Sequence, residues 1–207
     1  MNMRFKITFI LAVLLFAAGC REKKAEQFTA LPFPDLQLPS MISGQQEALE
    51  YMAVNYWNGM TDPSRNYPSD SLLVSGVRRG DVEQKFADWT SIMEYAGHGV
   101  WSKAVGNLYD RALACERKDT ASQVFETFVD LFQKYYYDPN SPMRNEDVYY
   151  HFVSRYASYE GLSDALRGKY EREARLCALN RVGTKAADFR FADRRGKMTD
   201  LYDVKAE

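Results

Sequence analysis

Residues 81–115 read DVEQKFADWTSIMEYAGHGVWSKAVGNLYDRALAC, and this stretch decides the fold. Val82, Phe86, Trp89 and Met93 (or Ile92) recur at three- and four-residue steps, the spacing at which side chains share one face of a helix. Trp101, Ala104, Val105, Leu108, Ala112 and Cys115 repeat the pattern. Gly97-His98-Gly99 interrupts it, so two helices are expected, with Asp81 capping the first and His98 in the loop between them. Each carries an apolar face that needs a helical partner.

The same period extends in both directions. Upstream, Ser43-Gly44-Gln45-Gln46 has the form of a capping box, and Leu49, Met52, Ala53, Tyr56 and Trp57 continue it as a helix to about Asn58. Asp62-Pro63 through Pro68-Ser69-Asp70 reads as loop. Downstream, Val124, Phe128, Leu131, Phe132 and Tyr135 define a fourth helix, which Asp138-Pro139-Asn140-Ser141-Pro142 ends. Asn145 caps a fifth with Val148, Phe152 and Tyr156 inward, and Leu166, Tyr170, Ala174 and Cys177 form a sixth from Ser163 to about Asn180. The expected fold is mainly α, a bundle of about six amphipathic helices over residues 42–180. No repeat of about 34 residues recurs.

From residue 181 the character changes. Phe189-Arg190-Phe191 alternates as a strand does, Asp193-Arg194-Arg195-Gly196 is a turn, and Met198 to Tyr202 returns as a second strand. Two strands alone bury too little to fold independently, so residues 183–207 are expected to fray unless they dock.

Composition narrows the function classes. The 207 residues are 46% hydrophobic and 27% charged, enough for a core, and the net charge of −1 excludes a dedicated nucleic-acid binder. Two histidines and three cysteines leave little for a metal cage. His98 reads as a loop residue and His151 as structural, since no carboxylate or cysteine stands at ligand spacing. No catalytic, cofactor-binding or metal-binding residue is expected. Cys115 and Cys177 are unlike a CxxC pair; two separately buried thiols and a structural disulfide both fit them. Aromatic residues make up 14%, with Tyr135, Tyr136 and Tyr137 adjacent. Consecutive helical positions diverge by about 100°, so such a run cannot all enter one core, and some rings must sit at a rim or groove.

The first twenty residues carry an address. Arg4 and Lys6 precede an apolar run from Ile7 to Ala18, too short for the roughly 20 residues of a membrane span but suited to a secretory signal. Ala17-Ala18-Gly19-Cys20 resembles a bacterial lipobox, which implies a signal peptide at 1–19 and acylation of Cys20. A membrane partner through Cys20, a periplasm-facing location in a Gram-negative bacterium and a linker at 20–41, rich in Pro32, Pro34 and Pro39, follow as expectations.

Two resemblances complete the reading. Gly183-Thr184 … Ala187-Asp188-Phe189 … Asp193 … Gly196-Lys197 … Leu201-Tyr202-Asp203 resembles the entry to a thioredoxin-like domain of the TlpA or alkyl-hydroperoxide-reductase kind. Tyr137-Asp138-Pro139-Asn140-Ser141-Pro142-Met143-Arg144-Asn145-Glu146, with Ala48-Leu49-Glu50-Tyr51 and Tyr56-Trp57, resembles the domain of unknown function 5106 family, helical lipoprotein modules that precede thioredoxin-like domains. The resemblance implies a helical module that positions a redox domain or selects its periplasmic protein substrates. It implies that residues 181–207 are the truncated edge of that domain, with the redox cysteines beyond Glu207 and no turnover from this chain. A stand-alone binding lipoprotein for a glycan or peptide is the alternative.

Overall fold

The computed structural model describes residues 29–204 apart from 69 and 180. Six α-helices dominate: α1 (Gln45–Asn55), α2 (Arg79–Ala96), α3 (His98–Lys118), α4 (Val124–Phe132), α5 (Glu146–Tyr156) and α6 (Asp164–Cys177). Two antiparallel pairs accompany them, β1 (Leu73–Val74) with β2 (Val77–Arg78) and β3 (Arg190–Ala192) with β4 (Met198–Asp200). The expected helical body and C-terminal hairpin are both present.

The centre is aromatic. Trp57 stands edge-on to Phe128 at 4.8 Å and to Phe33 at 5.4 Å between ring centroids, and it also meets Phe86 and Trp89. Phe132 stacks on Phe152 at 4.1 Å, which joins α4 to α5. Edge-to-face and offset contacts suit the ring quadrupoles, so these rings fix orientation as well as bury area.

The end of α1 explains how the helices find their register. The last carbonyls of a helix lack intrahelical partners, and here Tyr56 continues in helical conformation instead of a terminating glycine. Side chains from two other helices supply the missing donors. The Trp89 indole N–H of α2 donates to the Ala53 carbonyl at 2.8 Å, and Asn107 Nδ2 of α3 donates to the Val54 carbonyl at 2.7 Å. One turn along α3, Arg111 donates to the carbonyls of Asn58 and Thr61. A further turn along, the Cys115 thiol lies 3.7 Å from the Thr61 carbonyl. Positions 107, 111 and 115 share one face of α3, so a polar stripe latches the turn that follows α1.

Several boundaries differ from the sequence reading. The capping box does not form: Gly44 is the N-cap without a side-chain bond, and Gln46 Nε2 instead donates to the Ala96 carbonyl at 3.1 Å. The same Nε2 also donates to Glu50 Oε1 at 3.1 Å, so the Gln46 amide ties α1 to the end of α2 instead of folding back on the N-cap. Helix α1 stops at Asn55 because the chain turns there to meet α3. Asp81 lies within the first turn of α2, whose N-cap is Arg78, because the β1–β2 pair delivers the chain three residues earlier. His98 is the first residue of α3 and not a loop residue: Gly97 alone, at φ 82°, makes the break. Leu166 is 45% exposed, while Leu162 in the preceding turn and Tyr170, Glu173 and Cys177 on α6 are buried. Asn145 and Ser163 do cap α5 and α6, accepting from the Val148 and Leu166 amides.

The β1–β2 hairpin was not foreseen. Ser75 and Gly76 both have positive φ, the conformation of a tight two-residue hairpin turn, and a Cβ at Gly76 would lie 2.7 Å from Tyr67 Cβ. Within the stretch read as linker, the Leu31 amide donates to the Gly76 carbonyl, and Phe33 packs on Trp57.

After α4 the chain widens into one π-helical turn, Gln133–Tyr137, closed by the Asp138 amide on the Gln133 carbonyl at 2.9 Å. It distributes the three tyrosines. The half-buried Tyr135 meets the buried Phe86, Tyr136 goes inward to the same ring, and Tyr137 stacks on Tyr149 at 4.5 Å.

Asn107→Ala leaves the Val54 carbonyl without its donor, and loss of about 1–3 kcal/mol is expected in urea denaturation. Amide exchange across 183–204, where no described residue is buried, is expected to be far faster than in α2.

Candidate functional site

The chain leaves the helical body at Arg181 and Val182, and side chains of α5 hold it there. Asp147, in the first turn of α5, favours the positive end of that helix and receives two groups from the exit segment. Arg181 Nε lies 3.6 Å from Asp147 Oδ1, and the Val182 amide donates to Asp147 Oδ2 at 3.3 Å. The Arg181 guanidinium also lies over the Tyr150 ring, 4.1 Å from its centroid, and 3.4 Å from His151 Nε2. Positions 147, 150 and 151 lie three and four apart, so one face of α5 presents an anion, a ring and an imidazole to one arginine.

This anchor borders a cleft of about 480 Å³ lined by His98, Trp101, Ser102, Asp147, His151, Arg181 and Val182. Both histidines of the chain therefore face one space, which their separation in sequence conceals. Burial and then Arg181 lower the His151 pKa, and Asp147 only partly offsets them. The imidazole is neutral at pH 7 and serves Arg181 as an acceptor. Among the described residues no group of three His, Cys, Asp or Glu side chains could hold a metal ion. The arrangement fixes the direction in which the chain departs.

Cys20 lies outside the described residues. Cys115 and Cys177 are both free thiols, so the structure has no disulfide between them. Burial raises the Cys115 pKa, and Arg111 and Lys118 pull it back only in part. Burial also pushes Cys177 up to about 12, assisted by Glu146 and Glu173. A thiol-exchange nucleophile needs the opposite shift. Glu173 is itself buried and accepts the Tyr149 hydroxyl at 2.8 Å, which secures α6 to α5.

Two outcomes follow. A depressed histidine pKa means that the unfolded chain binds more protons, so the contribution of His151 is complete above its ordinary value of 6.5 and is lost as pH falls below it. The urea midpoint should drop between pH 7 and 5.5, and His151→Gln should flatten that drop. In native protein at pH 8, iodoacetamide should alkylate Cys177 more than tenfold slower than in urea.

Comparison with known proteins places this geometry. No curated protein matches the chain. A crystal structure of a thioredoxin-like protein from Bacteroides caccae ATCC 43185 is similar, at 26% identity and a TM-score of 0.65. The similarity covers 86% of this chain and 59% of that one, so the chain spans less than two thirds of that protein. The family model described as Domain of unknown function (DUF5106) matches residues 19–180, from just before Cys20 to the end of the helical body. With the body matched by the family model and a thioredoxin-like protein resembling most of the chain, the chain belongs to the domain of unknown function 5106 family.

Proposed function

We propose that this chain is the lipid-anchored, periplasm-facing helical part of a thioredoxin-like thiol–disulfide oxidoreductase, in which it positions the redox domain or selects its protein substrates. The observation that carries the reading is the Arg181 anchor. Arg181 and Val182, held against α5, lead through residues 183–189 into the β3–β4 hairpin, whose sequence resembles the entry to a thioredoxin-like domain. A domain attached through such a clamp inherits an orientation from the helical body, which a free linker would not provide.

The reading assigns no thiol exchange to Cys115 or Cys177, whose raised pKa values keep them protonated at neutral pH. The chemistry belongs to a thioredoxin-like segment, and the helical body supplies geometry and contacts. The lipobox-like Ala17-Ala18-Gly19-Cys20 supports the anchor, since several acyl chains hold a protein on a membrane where one does not.

Intact mass of the protein purified from its native membrane tests the anchor: an acylated N-terminus at Cys20 is expected, and Cys20→Ser should release the protein to the soluble fraction. An unmodified N-terminus would remove the lipoprotein reading. The positioning role is tested on the complete protein with Arg181→Ala. Exchange with a protein substrate should slow severalfold while reduction of a small disulfide is unchanged. Equal effects on both would sink it.

A further inference from the structure

The π-helical turn places Tyr136 in an unusual position. Its side chain is 3% exposed, and its hydroxyl has no hydrogen-bond partner among the described residues. Buried hydroxyls are almost always paired, and π-helical turns recur at functional sites. Tyr136 also lines a partly open cavity of about 140 Å³ between α2, the start of α3, the 142–145 segment of the connecting loop and Val148 of α5. A single water takes about 30 Å³, so the space holds more than one.

The lining specifies the occupant. Thr90 Oγ1 donates its proton to the Ala87 carbonyl at 2.7 Å, so towards the cavity it only accepts. Burial, reinforced by Glu94, keeps the Tyr136 phenol protonated, so it has a proton to donate. Asn145 ties the loop down: its amide N–H donates to the Tyr136 carbonyl at 3.0 Å, and its Oδ1 accepts from Val148. Glu94 and Arg144 are exposed lining residues, and Arg144 is paired with Glu146. A carboxylate has no proton to give Thr90, and an ammonium has no lone pair to accept the Tyr136 proton. A neutral group with one acceptor and one donor satisfies both Tyr136 and Thr90. On the outer side of the same loop a second depression of about 390 Å³ shares Pro142 and Met143 with the cavity, so an extended chain can cross from one to the other.

We infer that this cavity binds the carboxamide side chain of a glutamine or asparagine carried on an extended polypeptide, the carbonyl accepting from Tyr136 and the amide donating to Thr90. Solvent does not reach the Tyr136 hydroxyl, so the occupant displaces part of the wall, and the unbranched side chain of Met143 is suited to yield. The inference rests on the reading that the helical body meets protein substrates, and it names what the body selects.

The test titrates the full-length protein with the N-acetyl, N-methylamide forms of glutamine, glutamate and lysine, followed by NMR shifts or Trp101 fluorescence. The glutamine form should bind at least fivefold tighter than the other two. Tyr136→Phe should reduce its affinity at least fivefold while the melting temperature stays level or rises, because the variant removes an unpaired hydroxyl and little volume. Equal binding of the three probes, no saturable binding, or unchanged affinity in Tyr136→Phe overturns the inference. A clear fall in the melting temperature of that variant also overturns it, since it would reveal ordered water as the partner. If the probe binds as expected but Tyr136→Phe leaves exchange with protein substrates unaltered, the substrate-selection reading falls and the binding site stands.

Discussion

The carbonyls at the end of α1 set the arrangement of the first three helices. A helix that ends without a glycine cap leaves acceptors that must find donors elsewhere or stay in contact with water. Here two of them are met by Trp89 of α2 and Asn107 of α3, while Arg111 of α3 holds the carbonyls of the turn that follows. Apolar faces alone would tolerate sliding by a turn; these bonds do not. Helix crossing is driven by burial around Trp57 and fixed in register by polar groups at its edge.

The second half of the body follows the same division of labour. Phe132 stacked on Phe152 supplies area, while the Tyr149 hydroxyl on the buried Glu173 carboxylate fixes how α6 lies on α5. In the π-helical turn Tyr136 enters the core, Tyr135 and Tyr136 both meet Phe86, and Tyr137 turns to Tyr149. That adjustment leaves Tyr136 buried with an unmet hydroxyl beside a cavity.

Cys20 precedes the helical body, and the Arg181 anchor hands the chain to a hairpin that buries none of its described residues. The free thiols between them are held protonated by burial. Among the described residues no three His, Cys, Asp or Glu side chains gather as a metal site would require.

Local sequence determined the helical class and six helices through their period, the caps at Asn145 and Ser163 through side-chain chemistry, and the β3–β4 hairpin through its turn residues. Each of these follows from contacts within a few residues, so the local sequence carries it. Tertiary structure decided the rest. Gln46 abandoned a local capping box for the Ala96 carbonyl, and Leu166 yielded the core to Leu162 and Tyr170. The β1–β2 pair has strands of two residues, too short for alternation to show, and it depends on Leu31 from far upstream. Both candidate sites unite residues distant in sequence: His98 with His151 and Arg181, and Thr90 with Tyr136 and Asn145. No spacing rule connects such positions, because their proximity is created by helix packing rather than by chain connectivity.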